Sequence, residues 1–341
     1  TLNAKIIIMD EPSAVLTPYE LQQLFSVLKA QRDRGVSIIY ISHRLEEIFE
    51  LADRVTVMKD GAKVKTLNVS ETDKWEIVKL MVGRELGKHY PKRTHEIGEP
   101  VLELKNVTRK GKVENISFTL HRGEILGIAG LIGAGRSELA TVIFGAEPLD
   151  AGEIWIHGKP VKIASPGDAL KHRMGFVTED RRQTGLFGIL TVRENITIAS
   201  LRKFTRRGFM NLRRELEIAL DFIKRIRIVT PSPNQQVQNL SGGNQQRVLL
   251  SKWINTDSEI FLIDEPTRGI DVGSKEELYF LLNDLVANGA AILMISSELP
   301  EILGMSDRIL VMNHGRITAE FQAAEATEVK IMEFAALEVV E

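Results

Sequence analysis

The sequence predicts an α/β fold with a parallel sheet core, and two patterns carry that prediction. Short apolar runs typical of buried strands alternate with stretches of helical periodicity, as where EILGIA (124–129) is followed by RSELATVIF (136–144). Alternating strands and helices favour a parallel sheet, because parallel neighbours need a crossover connection. The second pattern is an internal repeat that copies part of this alternation.

The repeat consists of three pairs of similar segments, and each pair is separated by 254 residues. Similar apolar strands arise often by chance, but three blocks in one register do not. We therefore expect two copies of one domain, of which the first is represented only by its last third. The pairs are IIIMDEP (6–12) with IFLIDEP (260–266), IIYISHRLEEI (38–48) with ILMISSELPEI (292–302), and ADRVTVMKDG (52–61) with SDRILVMNHG (306–315).

The domain boundaries follow from the repeat. Residues 1–83 form the C-terminal part of the first copy, 84–99 a polar linker, and 100–341 the complete second copy, with a helical subdomain at about 166–250 and a small antiparallel β part. The elements expected in the second copy are, in order, an opening strand VLELKNVT (101–108), strand EILGIA, helix NLRRELEIALDFIKRIR (211–227), strand EIFLIDEP (259–266), helix KEELYFLLNDLVANG (275–289) and strand AAILMISS (290–297).

The composition excludes several classes of protein. The 341 residues carry a net charge of -2, which argues against a protein that coats nucleic acid. The chain has 0 cysteines, so disulfides, thiolate metal sites and cysteine nucleophiles are excluded. No apolar run reaches the roughly 18 residues of a membrane-spanning helix.

A glycine-rich loop, GLIGAGRS (130–137), lies between a predicted strand and a predicted helix. Glycines in that context let backbone N–H groups point at phosphate oxygens, where the helix N-terminus favours anions. The predicted phosphate-binding residues are Gly130, Gly133, Ala134, Gly135, Arg136 and Ser137. Ser137 would offer its hydroxyl to Mg²⁺, and Arg136 stands where the usual motif has lysine. A glycine turn that only packs helix on strand is the alternative.

Two acidic residues follow a predicted strand in each copy. Asp264 comes at the carboxyl end of IFLID, where parallel sheets place ligands, and can hold Mg²⁺. Glu265 can polarise an attacking water. Asp10 and Glu11 repeat the pair in the first copy. If the two acids served only to end a strand, their recurrence at the same position would have no explanation.

With LSGGNQQ (240–246) added, the order of motifs resembles the ABC-type ATPases. GAGRSEL, DEPTRGIDVG and ISSELPEI narrow the resemblance to the tandem P-loop ATPases of bacterial monosaccharide importers, such as those for ribose, galactose, arabinose and xylose. That resemblance implies ATP and Mg²⁺ as cofactors and head-to-tail pairing of the two nucleotide domains. It further implies membrane permease subunits and an extracytoplasmic sugar-binding protein as partners, no nucleic acid, and a peripheral location on the cytoplasmic face of the cell membrane. The signature residues that would cover the nucleotide of the facing domain are Ser241, Gly242, Gly243 and Gln245.

The second copy departs from the family pattern at three positions. Ser297 occupies the place of the switch histidine, Arg136 replaces lysine, and Glu179 stands near the usual glutamine slot, where a carboxylate needs compensation by Mg²⁺ or by Arg181 and Arg182. We expect the site on residues 130–137 to bind nucleotide but to hydrolyse it poorly.

The competent site would use the first copy's acids. Asp10 would hold metal, and Glu11 and His43 would act catalytically, opposite the second copy's signature. Its phosphate loop would precede Thr1, so we expect the chain to be N-terminally truncated. Two other readings stay open. One is a soluble ABC-type ATPase that acts on ribosomes or nucleic acid, although the 84–99 linker is short and mixed in charge. The other is an inactive fragment.

Overall fold

The computed structural model describes residues 4–10, 12, 18–42, 45–59, 62–73, 76–77, 80, 90–91, 96–131, 133–206 and 208–336. They belong to two compact units, one comprising residues of Thr1–Gly87 and Asp271–Gly273 and the other residues of Lys88–Ile270 and Ser274–Glu341. In the described part of the chain, no helix combines the length and the apolar character needed to cross a membrane.

The first unit combines a parallel strand pair with an antiparallel one. β1 and β2 pair in parallel from Ile6 opposite Ser37 to Asp10 opposite Ile41, and α1 makes the crossover between them. β3 and β4 form an antiparallel ribbon. In chain order the elements are β1 (Ile6–Asp10), α1 (Pro18–Asp33), β2 (Ser37–Ile41), α2 (Leu45–Leu51), β3 (Arg54–Lys59) and β4 (Ala62–Asn68).

The second unit is larger and contains the main hydrophobic core. Its first elements are β5 (Pro100–Arg109), β6 (Val113–His121), β7 (Ile125–Gly130), α3 (Arg136–Ile143), β8 (Ala151–Ile156), β9 (Lys159–Val161), α4 (Pro166–Lys171) and β10 (Met174–Val177). They are followed by α5 (Val192–Thr197), β11 (Thr205–Arg206), β12 (Phe209–Met210), α6 (Leu212–Arg225), α7 (Gly242–Ile254) and β13 (Ile260–Asp264). The last are α8 (Val272–Ala287), β14 (Ala291–Ile295), α9 (Leu299–Met305), β15 (Arg308–Asn313), β16 (Arg316–Gln322) and α10 (Glu328–Ala335).

A six-stranded sheet in the order β10-β13-β14-β7-β15-β16 forms the core of this unit. All neighbours are parallel except β15 and β16, which are antiparallel. Every residue of β13 and β14 is buried, as expected for strands covered on both faces. A separate antiparallel sheet has the order β6-β5-β8-β9. The fold is therefore the expected α/β architecture with a parallel core and a small antiparallel part.

The range expected as a helical subdomain, about 166–250, opens with the short helix α4 and also includes a strand. The range 166–250 contains β10, an edge strand of the main sheet, whose four residues are all buried. Helical structure from α5 to α7 follows after a π-helical turn at Arg181–Gly185.

The internal repeat is visible in the bounds of the elements. Shifting β1, α1, β2, α2, β3 and β4 by 254 residues gives the bounds of β13, α8, β14, α9, β15 and β16. The surroundings differ, however. Ile6 and Ile8 are 61% and 66% exposed, whereas the matching Ile260 and Leu262 are 0% exposed. In the second unit β10 and β7 flank the strand pair, and the described residues of the first unit contain no equivalent strands.

Candidate functional site

The phosphate loop connects the buried strand β7 to helix α3. Gly133 and Gly135 have φ values of +82° and +95°, in the left-handed region that favours glycine. At Gly135 a Cβ would lie 2.9 Å from the Lys112 carbonyl oxygen, so a side chain is also excluded by contact. Gly135 directly precedes α3, and the first N–H groups of that helix have no intrahelical acceptor. The loop therefore presents free backbone donors and the positive end of a helix to an anion.

Arg136 is buried and already has partners. Its Nη1 donates to the Ser296 carbonyl oxygen at 2.8 Å, and its Nη2 lies 4.0 Å from Glu265 Oε1. The guanidinium therefore connects the start of α3 to the end of β14 and offsets the charge of Glu265. A lysine in a standard phosphate loop would instead direct a compact ammonium at the phosphates.

Asp264 ends β13 with its carboxylate almost fully buried. Burial raises its pKa to about 6, and the Ser137 hydroxyl and Arg136 counteract that rise only in part. Its Oδ1 atom has no hydrogen-bond partner among the residues that the structure describes. A buried, unpartnered carboxylate oxygen beside a serine hydroxyl suits Mg²⁺, which takes one or two protein oxygens and completes its shell with water and phosphate. The residues present thus fit the ion.

Glu265 is held in an uncommon backbone conformation, with φ at +48°. For a residue other than glycine, such a conformation is more frequent at functional sites. Burial raises the pKa of this carboxyl, while Ser297 and Arg136 lower it. Ser297 Oγ donates to Glu265 Oε2 at 3.1 Å. The residue at the switch position is thereby in direct contact with the predicted catalytic carboxylate.

The signature residues lie at the start of α7. Ser241 precedes the helix but does not cap it with its side chain, and Asn244 Nδ2 donates to its Oγ at 2.9 Å. Gln245 is buried and donates to the carbonyl oxygens of Val237 and Leu240. Gln245 thus orders the chain before the helix, while Ser241, Gly242 and Gly243 form its N-terminus.

Glu179 forms an ion pair with Arg268 in the turn that follows Glu265. We expected Mg²⁺ or Arg181 and Arg182 to offset this carboxylate, and the partner is instead a residue 89 positions further along the chain. Asp10 is the exposed last residue of β1. Glu11 and His43 lie outside the described residues.

Two cations near this site have structural partners that the sequence did not indicate. Arg181 donates to the carbonyl oxygen of Gly269 at 2.8 Å and to that of Arg268. Lys252 Nζ donates to the carbonyl oxygen of Gly185, and burial lowers its pKa to about 8. Both bind backbone carbonyls, which every residue carries, so no sequence pattern could have revealed them.

Comparison with known proteins agrees with this geometry. The sequence profile of the family described as ABC transporter matches residues 113–268. Over 333 residues, 98% of this chain and 68% of the relative, the chain is 52% identical to the "Ribose import ATP-binding protein RbsA" of Bacillus subtilis (strain 168). It is 48% identical over 338 residues to the "Putative ribose/galactose/methyl galactoside import ATP-binding protein 1" of Burkholderia lata, covering 98% of this chain and 66% of the relative. A solved nucleotide-free ATP-binding cassette from an ABC transporter matches with a TM-score of 0.59 at 21% identity, over 70% of this chain and 100% of that one.

The main sheet, the phosphate loop and the acidic pair at the end of β13 define an ATP-binding cassette. The likeness to solved structures supports that fold. The identity to curated relatives goes further, and the chain belongs to the ABC transporter family of ATP-binding proteins.

Proposed function

We propose that this chain is the ATP-binding and ATP-hydrolysing subunit that energises import of a monosaccharide through separate membrane permease subunits. An extracytoplasmic sugar-binding protein would deliver the sugar, and the chain would act at the cytoplasmic face of the cell membrane. The names of its relatives, which are ribose and galactoside import ATP-binding proteins, support this assignment. The observation that carries the nucleotide site is the unpartnered Asp264 oxygen beside Ser137, at the start of α3.

Nucleotide binding follows from the loop. Free N–H groups at the start of α3 would bind the β- and γ-phosphates, and the helix dipole would add to that attraction. Ser137 and Asp264 would hold Mg²⁺, which supplies charge neutralisation at the phosphate oxygens when bound. Asp264 must give up its proton to bind the metal, and its raised pKa makes that step sensitive to pH below about 6.

Hydrolysis at this site would be slow for two reasons. Ser297 donates its hydroxyl to Glu265, but it carries no charge and cannot stabilise the γ-phosphate as an imidazole would. Arg136 is held by the Ser296 carbonyl oxygen and Glu265, so its cation is directed at the protein. The second copy is therefore proposed to bind nucleotide firmly and to hydrolyse it weakly.

Titration calorimetry of the purified chain with MgATP tests the binding proposal. Ser137→Ala should weaken MgATP binding at least tenfold through loss of a metal ligand. Ser117→Ala, the same change on the exposed side of β6, is the matched control and should bind as the unchanged chain does. Equal MgATP affinity for the two variants would overturn the assignment of the site, and absence of binding to the unchanged chain would overturn the proposed function.

The competent site is proposed to depend on Asp10, Glu11 and His43. In a protein that contains both copies complete, Glu11→Gln should remove nearly all ATP turnover, whereas Glu265→Gln should remove little. Near-normal turnover of the Glu11→Gln variant would contradict this division of labour.

A further inference from the structure

The segment after β10 connects two other motifs of the second unit. Arg181 starts a π-helical turn, and its guanidinium has three acceptors. Nη1 and Nη2 donate to the carbonyl oxygens of Arg268 and Gly269, the latter at 2.8 Å, and Nε donates to Gln245 Oε1 at 3.3 Å. One side chain thus bridges the turn at residues 267–270, called here the acid-distal turn, and the signature helix α7.

The contact between the acid-distal turn and α7 leaves no room for a side chain. A Cβ at Gly242 would lie 2.6 Å from the Gly269 carbonyl oxygen and 2.8 Å from Arg181 Nη2. The first residue of the signature helix therefore packs directly on the turn and on the guanidinium. Movement of the turn by even an ångström must move the start of α7, or break these contacts.

The same arrangement is supported at both ends. Lys252, on α7, donates to the Gly185 carbonyl oxygen and so fixes the far end of the π-helical turn. Glu179 pairs with Arg268 at the near end. Glu265 lies just before the acid-distal turn, and its carbonyl oxygen accepts from the N–H of Arg268, within the turn, at 3.2 Å. A continuous set of contacts thus leads from Glu265 to the signature helix.

In the described part of the chain, the hydrogen-bond acceptors of Arg181 are carbonyl and amide oxygens, and none is a carboxylate. Arg181 is partly buried, and that burial lowers its pKa. Burying a charged group costs desolvation free energy, even where carbonyl and amide oxygens accept its hydrogen bonds. An apolar side chain packed at the same place would not incur that cost. The planar fork of arginine can serve three acceptors at fixed angles, whereas the ammonium of lysine is a single point charge.

We propose that Arg181 is a positioning residue that couples the carboxylate side of the nucleotide site to the signature surface. Nucleotide bound at residues 130–137 contacts the Asp264–Glu265 end of β13. Through the acid-distal turn and Arg181 its presence alters the order of Ser241–Gly243, the surface that a facing nucleotide domain would use. The coupling rests on the proposed binding of MgATP, but the positioning of the two segments by Arg181 does not.

Hydrogen–deuterium exchange of the whole chain, with and without MgATP, tests the proposal. Two segments are monitored, 241–246 and 267–270, with β7 and β13 as internal references. The variants are Arg181→Met, Arg181→Lys and, as matched control, Arg182→Met, which removes the same charge from an exposed neighbouring side chain. MgATP affinity is measured on each variant by calorimetry.

Without nucleotide, the amides of segments 241–246 and 267–270 should exchange about tenfold faster in Arg181→Met than in Arg182→Met, because losing the hydrogen bonds of one charged group has an effect of about that size. In β7 and β13 the two variants should exchange at the same rate. With MgATP, the unchanged chain should gain protection in both segments. Arg181→Met should lose that gain while keeping MgATP affinity within twofold, and Arg181→Lys should recover it only in part.

Three results would overturn the proposal. They are nucleotide-dependent protection that persists in Arg181→Met, no protection of 241–246 by bound MgATP in the unchanged chain, or faster exchange that extends equally into β7 and β13. If the unchanged chain binds no MgATP, the proposed function fails, and the nucleotide-free comparison of Arg181→Met with Arg182→Met still decides whether Arg181 positions the two segments.

Discussion

Glu301, on α9, is a buried carboxyl whose charge state should control the stability of the second unit. It is 1% exposed. Burial raises its pKa from 4.5 to about 7, Glu298 adds to the rise, and Ser296, Lys275 and Thr267 oppose it. The folded state therefore retains a proton over a pH range in which the unfolded chain has lost it.

The sign of the effect follows from this difference. Between about pH 4.5 and pH 7 the folded state binds more protons than the unfolded state, so the free energy of unfolding falls as pH rises. At roughly 1.4 kcal/mol for each pH unit, the shift predicts a loss of about 3 kcal/mol that is complete above pH 7. Glu301→Gln removes the titration, so the variant should gain about 3 kcal/mol relative to the unchanged chain between pH 5 and pH 8.

Urea unfolding followed by tryptophan fluorescence, to which the buried Trp253 contributes, measures this difference. Glu333→Gln, the same substitution on the exposed surface of α10, is the control and should show no pH-dependent difference. The reasoning would be refuted if the free energies of unfolding of Glu301→Gln and the unchanged chain differed by a constant amount from pH 5 to pH 8. It would also be refuted if, relative to the unchanged chain, Glu301→Gln were less stable at pH 8 than at pH 5.

Three further changes test the site. Asp264→Asn should weaken MgATP binding at least tenfold while leaving binding of metal-free ATP within twofold, measured by calorimetry with and without EDTA; a parallel loss of both would remove the metal role. Gly242→Ala should lower the free energy of unfolding by about 1–3 kcal/mol, because its Cβ would meet the Gly269 carbonyl oxygen at 2.6 Å; Gly208→Ala, where nothing lies within 4 Å but φ is +84°, separates this contact from backbone strain. Arg136→Met should destabilise the second unit by about 3 kcal/mol, since it leaves the largely buried Glu265 carboxylate without its cation, and urea unfolding at pH 8 should reveal it. A loss below about 0.5 kcal/mol would show that the contact with Glu265 contributes little.

Much of the fold could be read from local patterns. The apolar runs predicted as strands at 259–266 and 290–297 contain β13 and β14, and the helix predicted at 211–227 contains α6. Fully buried parallel strands have continuous apolar sequences, so their positions can be predicted from the local sequence alone. The 254-residue spacing of the sequence repeat also separates the bounds of the matching strands and helices.

The partners of the charged residues could not be read in the same way. Glu179 and Arg268 form their ion pair because β10 and β13 are neighbours in the sheet. The two residues lie far apart in the sequence, so the local sequence does not reveal the contact. Arg136 and Arg181 bind backbone carbonyl oxygens, which no residue type marks. The raised pKa of Glu301 depends on how deeply α9 is buried, a property of tertiary packing.

The central claim is that the site on residues 130–137 binds Mg-nucleotide but hydrolyses it weakly. A single-turnover experiment with the purified chain in excess over radiolabelled MgATP tests it most directly, because it follows the chemical step on bound nucleotide alone. We predict that ATP is bound and remains largely uncleaved, and that Glu265→Gln changes the small rate less than tenfold. Rapid conversion of bound ATP to ADP that disappears in Glu265→Gln would contradict the account.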